Sequence, residues 1–101
     1  MRIGVPKEIK VHEYRVGLVP ASVRELIHNG HEVVVEKNAG AGVGFEDSDF
    51  AAIGAEILPS AADVFETAEM IIKVKEPQTS EIALLHQDQV LFTYLHLAAA
   101  P

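Results

Sequence analysis

Short apolar runs alternate with helix-like segments along this chain, and this alternation restricts the possible folds more than any other feature. The runs are rich in β-branched and large aliphatic residues, which is typical of buried strands. They predict strands over residues 3–5, 31–36, 56–58, 70–74 and 90–95. Strands that alternate with helices at this spacing predict βαβ units with right-handed crossovers. We therefore expect an α/β domain: a Rossmann-like parallel sheet of about five strands with flanking helices.

Four helices are predicted between the strands, each with a recognisable first turn. Pro20 can begin the first helix, and Asp47, Ser60 and Ser80 can cap the other three. Ser60 with Asp63 resembles a capping box. The first two helices are expected to end at Gly30 and Gly54. The apolar residues expected to face the sheet are Val23, Leu26, Ile27, Phe50, Ala51, Ile53, Val64, Phe65, Ile82, Leu84 and Leu85.

Length and composition narrow the class of protein. The 101 residues allow a single domain, and 49% hydrophobic residues supply a modest core. Eight Lys+Arg against 15 Asp+Glu give a net charge of −7, which argues against nucleic acid or an anionic membrane as the main partner. Cysteine is absent, and no stretch is typical of a signal peptide or a membrane span. These features predict a cytoplasmic protein.

Three residues with complementary chemistry fall at one edge of the predicted sheet. Arg15 lies in the loop after the first strand, Lys75 follows the fourth strand and His96 follows the fifth. Ligands of open parallel sheets bind beyond the carboxyl ends of the strands. Arg can grip a carboxylate through two bonds, Lys can polarise a carbonyl, and His suits general acid/base catalysis. We predict a site for a small 2-oxo acid, against the alternative that these are solvated or structural residues.

The neighbouring charged residues allow simpler interpretations. Lys73 is expected on the same strand face as Lys75 and could equally be a solvated neighbour. Glu8 and Glu13 flank the loop of Arg15, and either an ion pair or plain solvation explains them.

No nucleotide or metal site is predicted in this chain. The segment 40–45, Gly-Ala-Gly-Val-Gly-Phe, lacks the third glycine of the dinucleotide fingerprint and is followed by acidic residues, so a tight-turning loop is the better interpretation. Among His12, His28, His31 and His86, the pair closest in sequence straddles Gly30, and no spacing is typical of metal ligands.

Several motifs of the chain resemble alanine dehydrogenase. They are the Ile-Gly-Val-Pro-Lys-Glu opening at 3–8, Glu-Tyr-Arg-Val-Gly-Leu at 13–18, Ala39–Phe45, Lys-Val-Lys-Glu-Pro at 73–77 and Leu-Phe-Thr-Tyr-Leu-His-Leu at 91–97. The related N-terminal domain of the transhydrogenase α subunit shares the opening and the Arg-Val pair. Its members typically lack the equivalents of Lys75 and of Tyr94 to His96, so the resemblance to alanine dehydrogenase is favoured.

This resemblance implies an NAD-dependent, reversible oxidative deamination of L-alanine to pyruvate and ammonium. Arg15 would bind the substrate carboxylate, Lys75 would contact the carboxylate and the reacting carbonyl, and His96 would be the acid/base residue. The family is usually a homohexamer. Its NAD-binding domain, with the glycine fingerprint and a catalytic aspartate, is absent from these 101 residues, so the resemblance implies the N-terminal, substrate-side portion of a longer enzyme.

The end of the chain supports this expectation. A helix is expected after the last predicted strand to cover the sheet, but the sequence stops at Ala98-Ala99-Ala100-Pro101, which indicates either a fragment or an edge that something else covers. We therefore expect a fragment that lacks hydride transfer by itself. A stand-alone module that binds an oxo acid, and a piece with no independent role, remain the alternatives.

Overall fold

The computed structural model describes residues 1–94, which form one five-stranded, entirely parallel sheet with helices on both faces. The strands are β1 (Arg2–Val5), β2 (Glu32–Glu36), β3 (Glu56–Leu58), β4 (Met70–Lys73) and β5 (Val90–Thr93). The helices are α1 (Pro20–His28), α2 (Asp47–Ala51), α3 (Ala61–Thr67) and α4 (Thr79–Ile82). The predicted fold class is therefore confirmed.

The strand order is β3-β2-β1-β4-β5, so the order reverses at β1. The chain leaves β1 towards β2 and β3, and later returns to place β4 on the other side of β1. Loops that diverge at such a point leave a crevice at the carboxyl edge of the sheet. The loops after β1 and β4 therefore border the position where an open sheet binds its ligand.

The two faces of the sheet are covered by different helices. Val33 and Val35 of β2 face a core that also contains Val23 of α1 and Phe50 of α2. Val34 points to the other face, in a cluster with residues of α3. This alternation follows from the two-residue period of a strand, and it explains why all three valines are buried.

The predicted core residues of the first three helices are largely confirmed. Val23, Phe50, Val64 and Phe65 are fully buried. Leu26, Ile27 and Ile53 are partly buried against the core, as are Leu84 and Leu85, although the last two follow α4. Ala51 and Ile82 are exposed, so their predicted burial is wrong.

Two predicted helix caps and two strand ends differ from the structure. Glu46 precedes α2 as its cap, and Asp47 instead accepts a hydrogen bond from the N–H of Asn38. Gln78, not Ser80, precedes α4, because Glu81 accepts the Gln78 N–H and fixes the first turn there. β4 ends at Lys73, one residue early. β5 ends at Thr93, so its predicted extension over Tyr94 is wrong, and residue 95 lies outside the described residues.

Ser60 caps α3 as predicted: its hydroxyl accepts from the N–H of Asp63 at 3.3 Å and donates to the Asp63 carboxylate at 2.9 Å. Over residues 1–94, no helix has the length and apolar character needed to cross a membrane.

Candidate functional site

The loop that follows β1, residues 6–19, contains no helix or strand and carries Arg15 across the carboxyl edge of the sheet. Two glycines allow other backbone segments to press against it. A Cβ on Gly17 would lie 2.4 Å from the carbonyl oxygen of Ile72 in β4, and one on Gly42 would lie 2.6 Å from the carbonyl oxygen of Tyr14. Only glycine permits such close backbone approach. The loop is therefore fixed from both sides around Arg15.

Glu13 holds the side chain of Arg15. Its Oε2 accepts from Nε of Arg15 at 3.0 Å, and its Oε1 accepts from Nη2 at 2.9 Å. Oε2 also accepts the backbone N–H of Arg15 at 2.8 Å. The Glu13 side chain is 3% exposed, whereas that of Arg15 is 55% exposed. A buried carboxylate therefore orients an accessible guanidinium.

The Glu13 contacts use one edge of the guanidinium. Nη1, on its end-on edge, has no hydrogen-bond partner within residues 1–94. Because a guanidinium can bind carboxylates at more than one edge, Arg15 keeps the capacity to bind a second carboxylate end-on.

The electrostatics connect Arg15 with Lys75. Hydrogen bonds from the Arg15 side chain, and to a lesser extent the charge of Lys75, lower the pKa of the Glu13 carboxyl, although burial opposes this. The carboxylate of Glu13 reciprocally raises the pKa of the Arg15 guanidinium. Arg15 follows β1 and Lys75 follows β4, so both residues lie at the carboxyl edge of the parallel sheet.

Tyr94 belongs to the same cluster. Burial raises the pKa of its phenol, the charge of Glu8 raises it further, and the charge of Arg15 lowers it. Tyr94 is the last described residue and directly follows β5. His96 itself lies outside the described residues.

Lys75 lies in the bend after β4, and Glu8 fixes its backbone. The Glu8 carboxylate accepts the N–H of Val74 at 3.0 Å and the N–H of Lys75 at 3.2 Å. It also accepts from Nζ of Lys73 at 3.1 Å. One side chain from the loop after β1 therefore holds the end of β4.

Lys73 is not a solvated neighbour of Lys75, and this corrects the sequence interpretation. Its side chain is 1% exposed and lies 3.1 Å from a carboxylate oxygen of both Glu8 and Glu81. Glu81 additionally accepts the N–H of Gln78 at 2.9 Å. Burial of a charged lysine requires such compensation. Plain solvation is equally wrong for Glu8 and Glu13, which are both buried.

Two clefts open beside Arg15. The first, about 320 Å³, is mainly apolar; among its lining residues are Arg15, Val16, Leu18, Phe45, Val74 and Tyr94. The second, about 280 Å³, has charged or polar residues in its lining, including Lys7, Glu8, Glu13, Arg15 and Asn38. Either volume accommodates a small organic acid. Lys75 lines neither cleft. Its backbone is held at this edge by Glu8, which lines the second cleft.

The ion pairs that the sequence left open for Glu8 and Glu13 are confirmed, whereas no role at this edge was predicted for Tyr94. A signal existed for Glu8, because a carboxylate three residues after a buried strand lies at its carboxyl end. Glu13 stands two residues before Arg15 and has the reach for a local ion pair. Tyr94 gave no signal beyond its place after β5.

The described residues do not fit a dinucleotide. The segment 40–45 forms a 3₁₀ turn over Ala41–Val43 that ends at Gly44 in the left-handed region. The helix that follows has five residues, and the carboxylate of Asp49 accepts the Glu46 N–H at its first turn. This acidic start would repel phosphate. Within residues 1–94, no group of acidic and histidine side chains is arranged to hold a metal ion.

The fold and this edge define a Rossmann-like α/β domain with clefts lined by Arg15 at the point where its strand order reverses. The chain belongs to the alanine dehydrogenase/PNT N-terminal domain family, whose model matches residues 4–101.

Known proteins similar to the chain carry two kinds of name. The chain is 57% identical to an alanine dehydrogenase of Halomonas elongata, over 98% of the chain. It is 56% identical to an alanine dehydrogenase of Methanococcus maripaludis, over the whole of the chain. A solved L-alanine dehydrogenase matches it with a TM-score of 0.91 at 57% identity, over 99% of this chain. A transhydrogenase from Sinorhizobium meliloti matches with a TM-score of 0.86 at 33% identity, over 92% of this chain. The chain spans 27% of the length of each of these proteins.

Proposed function

We propose that this chain is the N-terminal, substrate-binding domain of an NAD-dependent alanine dehydrogenase. The observation that carries the proposal is the Arg15 guanidinium, oriented by buried Glu13 and accessible beside a small cleft. The identity of 50–57% to several alanine dehydrogenases supports this assignment over others.

In the proposed reaction, L-alanine is oxidised and hydrolysed to pyruvate and ammonium while NAD accepts a hydride. Arg15 binds the substrate carboxylate end-on. Lys75 contacts the same carboxylate and the oxygen of the reacting carbonyl, where its charge stabilises developing negative charge. His96 gives a proton to that oxygen in the direction of alanine formation and removes it in the other direction.

The dinucleotide is proposed to bind a second domain outside these 101 residues, because residues 40–49 are unsuited to a pyrophosphate. The chain alone would then bind the organic acid without hydride transfer. A cytoplasmic location and a homohexameric assembly complete the proposal, which involves no nucleic acid or membrane.

Activity assays of a longer product test this proposal directly. The reading frame that encodes the chain is extended through any downstream domain, and alanine-dependent NAD reduction is measured. Lys75→Ala and His96→Ala are expected to abolish it. His86→Ala, at an exposed position that precedes β5 and so lies away from the carboxyl edge, should leave it intact. Normal rates in Lys75→Ala would refute the site assignment.

A transhydrogenase α subunit is the second candidate, favoured by the structural match at 33% identity. Hydride exchange between two nucleotides without alanine would identify it. A stand-alone oxo-acid module is the third: calorimetry should then show tight pyruvate binding by the 101-residue chain, dependent on Arg15, with no downstream domain encoded. Arg24→Gln in α1 is the matched control for Arg15→Gln.

A further inference from the structure

We propose that Glu8 is a positioning residue for Lys75: its buried carboxylate fixes the backbone from which the Lys75 side chain reaches the substrate. This inference rests on the proposed function, because it gives Lys75 the substrate contact stated there.

The first observation is the number of donors that meet at this carboxylate. Oε1 of Glu8 accepts from Nζ of Lys73 and from the N–H of Lys75, and Oε2 accepts from the N–H of Val74. The side chain is 2% exposed, so water does not compete for these bonds. Glu8 thus contacts two consecutive peptide groups at the start of the bend that carries Lys75.

The second observation is where the strand ladder stops. β4 pairs with β1 at Ile3↔Met70 and Gly4↔Ile71 and no further along. The N–H groups of Val74 and Lys75 therefore extend beyond the last β1 partner. Buried N–H groups require an acceptor, and Glu8 supplies it from the loop that continues β1.

The third observation separates this role from simple charge compensation. Lys73 already lies 3.1 Å from the Glu81 carboxylate. One carboxylate neutralises one lysine, so Glu8 is not needed for charge balance around Lys73. Its two bonds to the backbone of residues 74 and 75 are what Glu81 does not provide.

Glu8 also links the two cationic residues of the site. It belongs to the same loop as Arg15, and its charge contributes to the raised pKa of the Arg15 guanidinium. Holding Lys75 from this loop fixes the distance between the two groups that would bind one small acid. Small errors in such distances weaken binding and catalysis strongly.

The experiment compares Glu8→Gln with Glu81→Gln in the 101-residue chain. Each change removes one buried negative charge beside Lys73, and each places an amide donor among donors. Pyruvate affinity is measured by calorimetry, folding by urea denaturation, and the Val74 and Lys75 amide signals by ¹H–¹⁵N NMR. We expect both variants to lose stability, but only Glu8→Gln to shift those two amides and weaken pyruvate binding by about tenfold.

A double-mutant cycle with Lys75→Ala establishes that Glu8 acts through Lys75. Glu8→Gln should have no further effect on affinity in the Lys75→Ala background. Fully additive effects, or equal loss of affinity in Glu81→Gln, would overturn the positioning role. Normal pyruvate binding by Lys75→Ala would contradict the substrate contact of Lys75 in the proposed function. The positioning role of Glu8 depends on that contact and would then be refuted as well.

Glu8→Asp keeps the test decisive if Glu8→Gln does not fold. The shorter side chain retains the charge beside Lys73 but withdraws from the peptide group of Lys75. Weakened pyruvate binding at nearly unchanged stability supports the proposal, whereas unchanged binding with a displaced Lys75 amide signal contradicts it.

Discussion

The carboxylate of Glu13 accepts two hydrogen bonds from the guanidinium of Arg15, at 3.0 and 2.9 Å. The two residues are only two positions apart in the sequence, but they differ in exposure. The Glu13 side chain is buried, whereas the Arg15 side chain is exposed to solvent. The arrangement leaves Arg15 exposed as a lining residue of both clefts.

Replacing Glu13 with Gln should weaken pyruvate binding by about three- to tenfold, because the amide group presents a donor to one of the guanidinium donors. Calorimetry measures the affinity. Glu25→Gln, an exposed change on α1, is the control. Unaltered affinity in Glu13→Gln would mean that Arg15 needs no support to bind.

The same pair predicts an acid-side change in stability. The folded pKa of Glu13 is lowered, so its contribution to stability is present above the ordinary carboxyl range and is lost as the pH falls through the lowered pKa. Urea denaturation of the unaltered chain should show this loss. The loss should be smaller in Glu13→Gln, and identical pH profiles would contradict it.

Gly17→Ala should disrupt the loop that carries Arg15. The added methyl group would lie 2.4 Å from the backbone oxygen of Ile72, which cannot move without shifting β4. Overpacking of this kind costs about 1–3 kcal/mol. Gly30→Ala places a methyl in open space but in the left-handed region, so it should lower stability without affecting pyruvate binding. Gly17→Ala should lower both, as urea denaturation and calorimetry would show.

Glu36→Gln should stabilise the folded chain at pH 7. Burial raises the pKa of Glu36. The stability that this carboxyl contributes is therefore fully present below its pKa in the unfolded chain, and it is lost as the pH rises through its pKa in the folded chain. The amide keeps an acceptor for the Lys7 N–H, which Glu36 now accepts at 2.8 Å. Glu36→Gln should raise the urea midpoint at pH 7, and this increase should become smaller near pH 4, because Glu36 is then protonated. Glu32→Gln, exposed on the same strand, should give no increase.

The Tyr94 phenol should report the charges of the site. Spectrophotometric titration in a Tyr14→Phe background isolates its ionisation. Because Glu8 raises and Arg15 lowers the pKa of Tyr94, Arg15→Gln should raise that pKa further and Glu8→Gln should lower it. Arg24→Gln, an exposed change on α1, is the control. Shifts in the opposite directions would place Tyr94 elsewhere.

The strands and the placement of Arg15 and Lys75 could be predicted because both depend on local patterns. Apolar runs mark buried strands, and residues that follow parallel strands share one edge. The buried state of Lys73 could not be predicted in this way, since its partner Glu8 is 65 positions away in sequence. Strand alternation alone does not distinguish a buried ion pair from a solvated lysine.

The caps of α2 and α4 were predicted wrongly for a different reason. Acidic and polar residues are adjacent around Glu46 and Asp47, and around Gln78 and Ser80, so several are competent caps. The choice depends on tertiary contacts, such as the Asp47 bond to Asn38 and the Glu81 contact with Lys73. Whether Arg15, Lys75 and His96 act together stays a prediction.

The pairing of β1 with β4 has a consequence for how the chain acquires order. Ile3 meets Met70 only after the whole of β2, β3 and α3 has been synthesised. Contacts between such distant segments form slowly, because a large loop must close first. The backbone of Ile72 in β4, against which Gly17 packs, is also absent until then. During synthesis, the loop that carries Arg15 can therefore adopt its final conformation only after β4 has been made. The proposed ligand edge is expected to be among the last parts of the domain to become ordered.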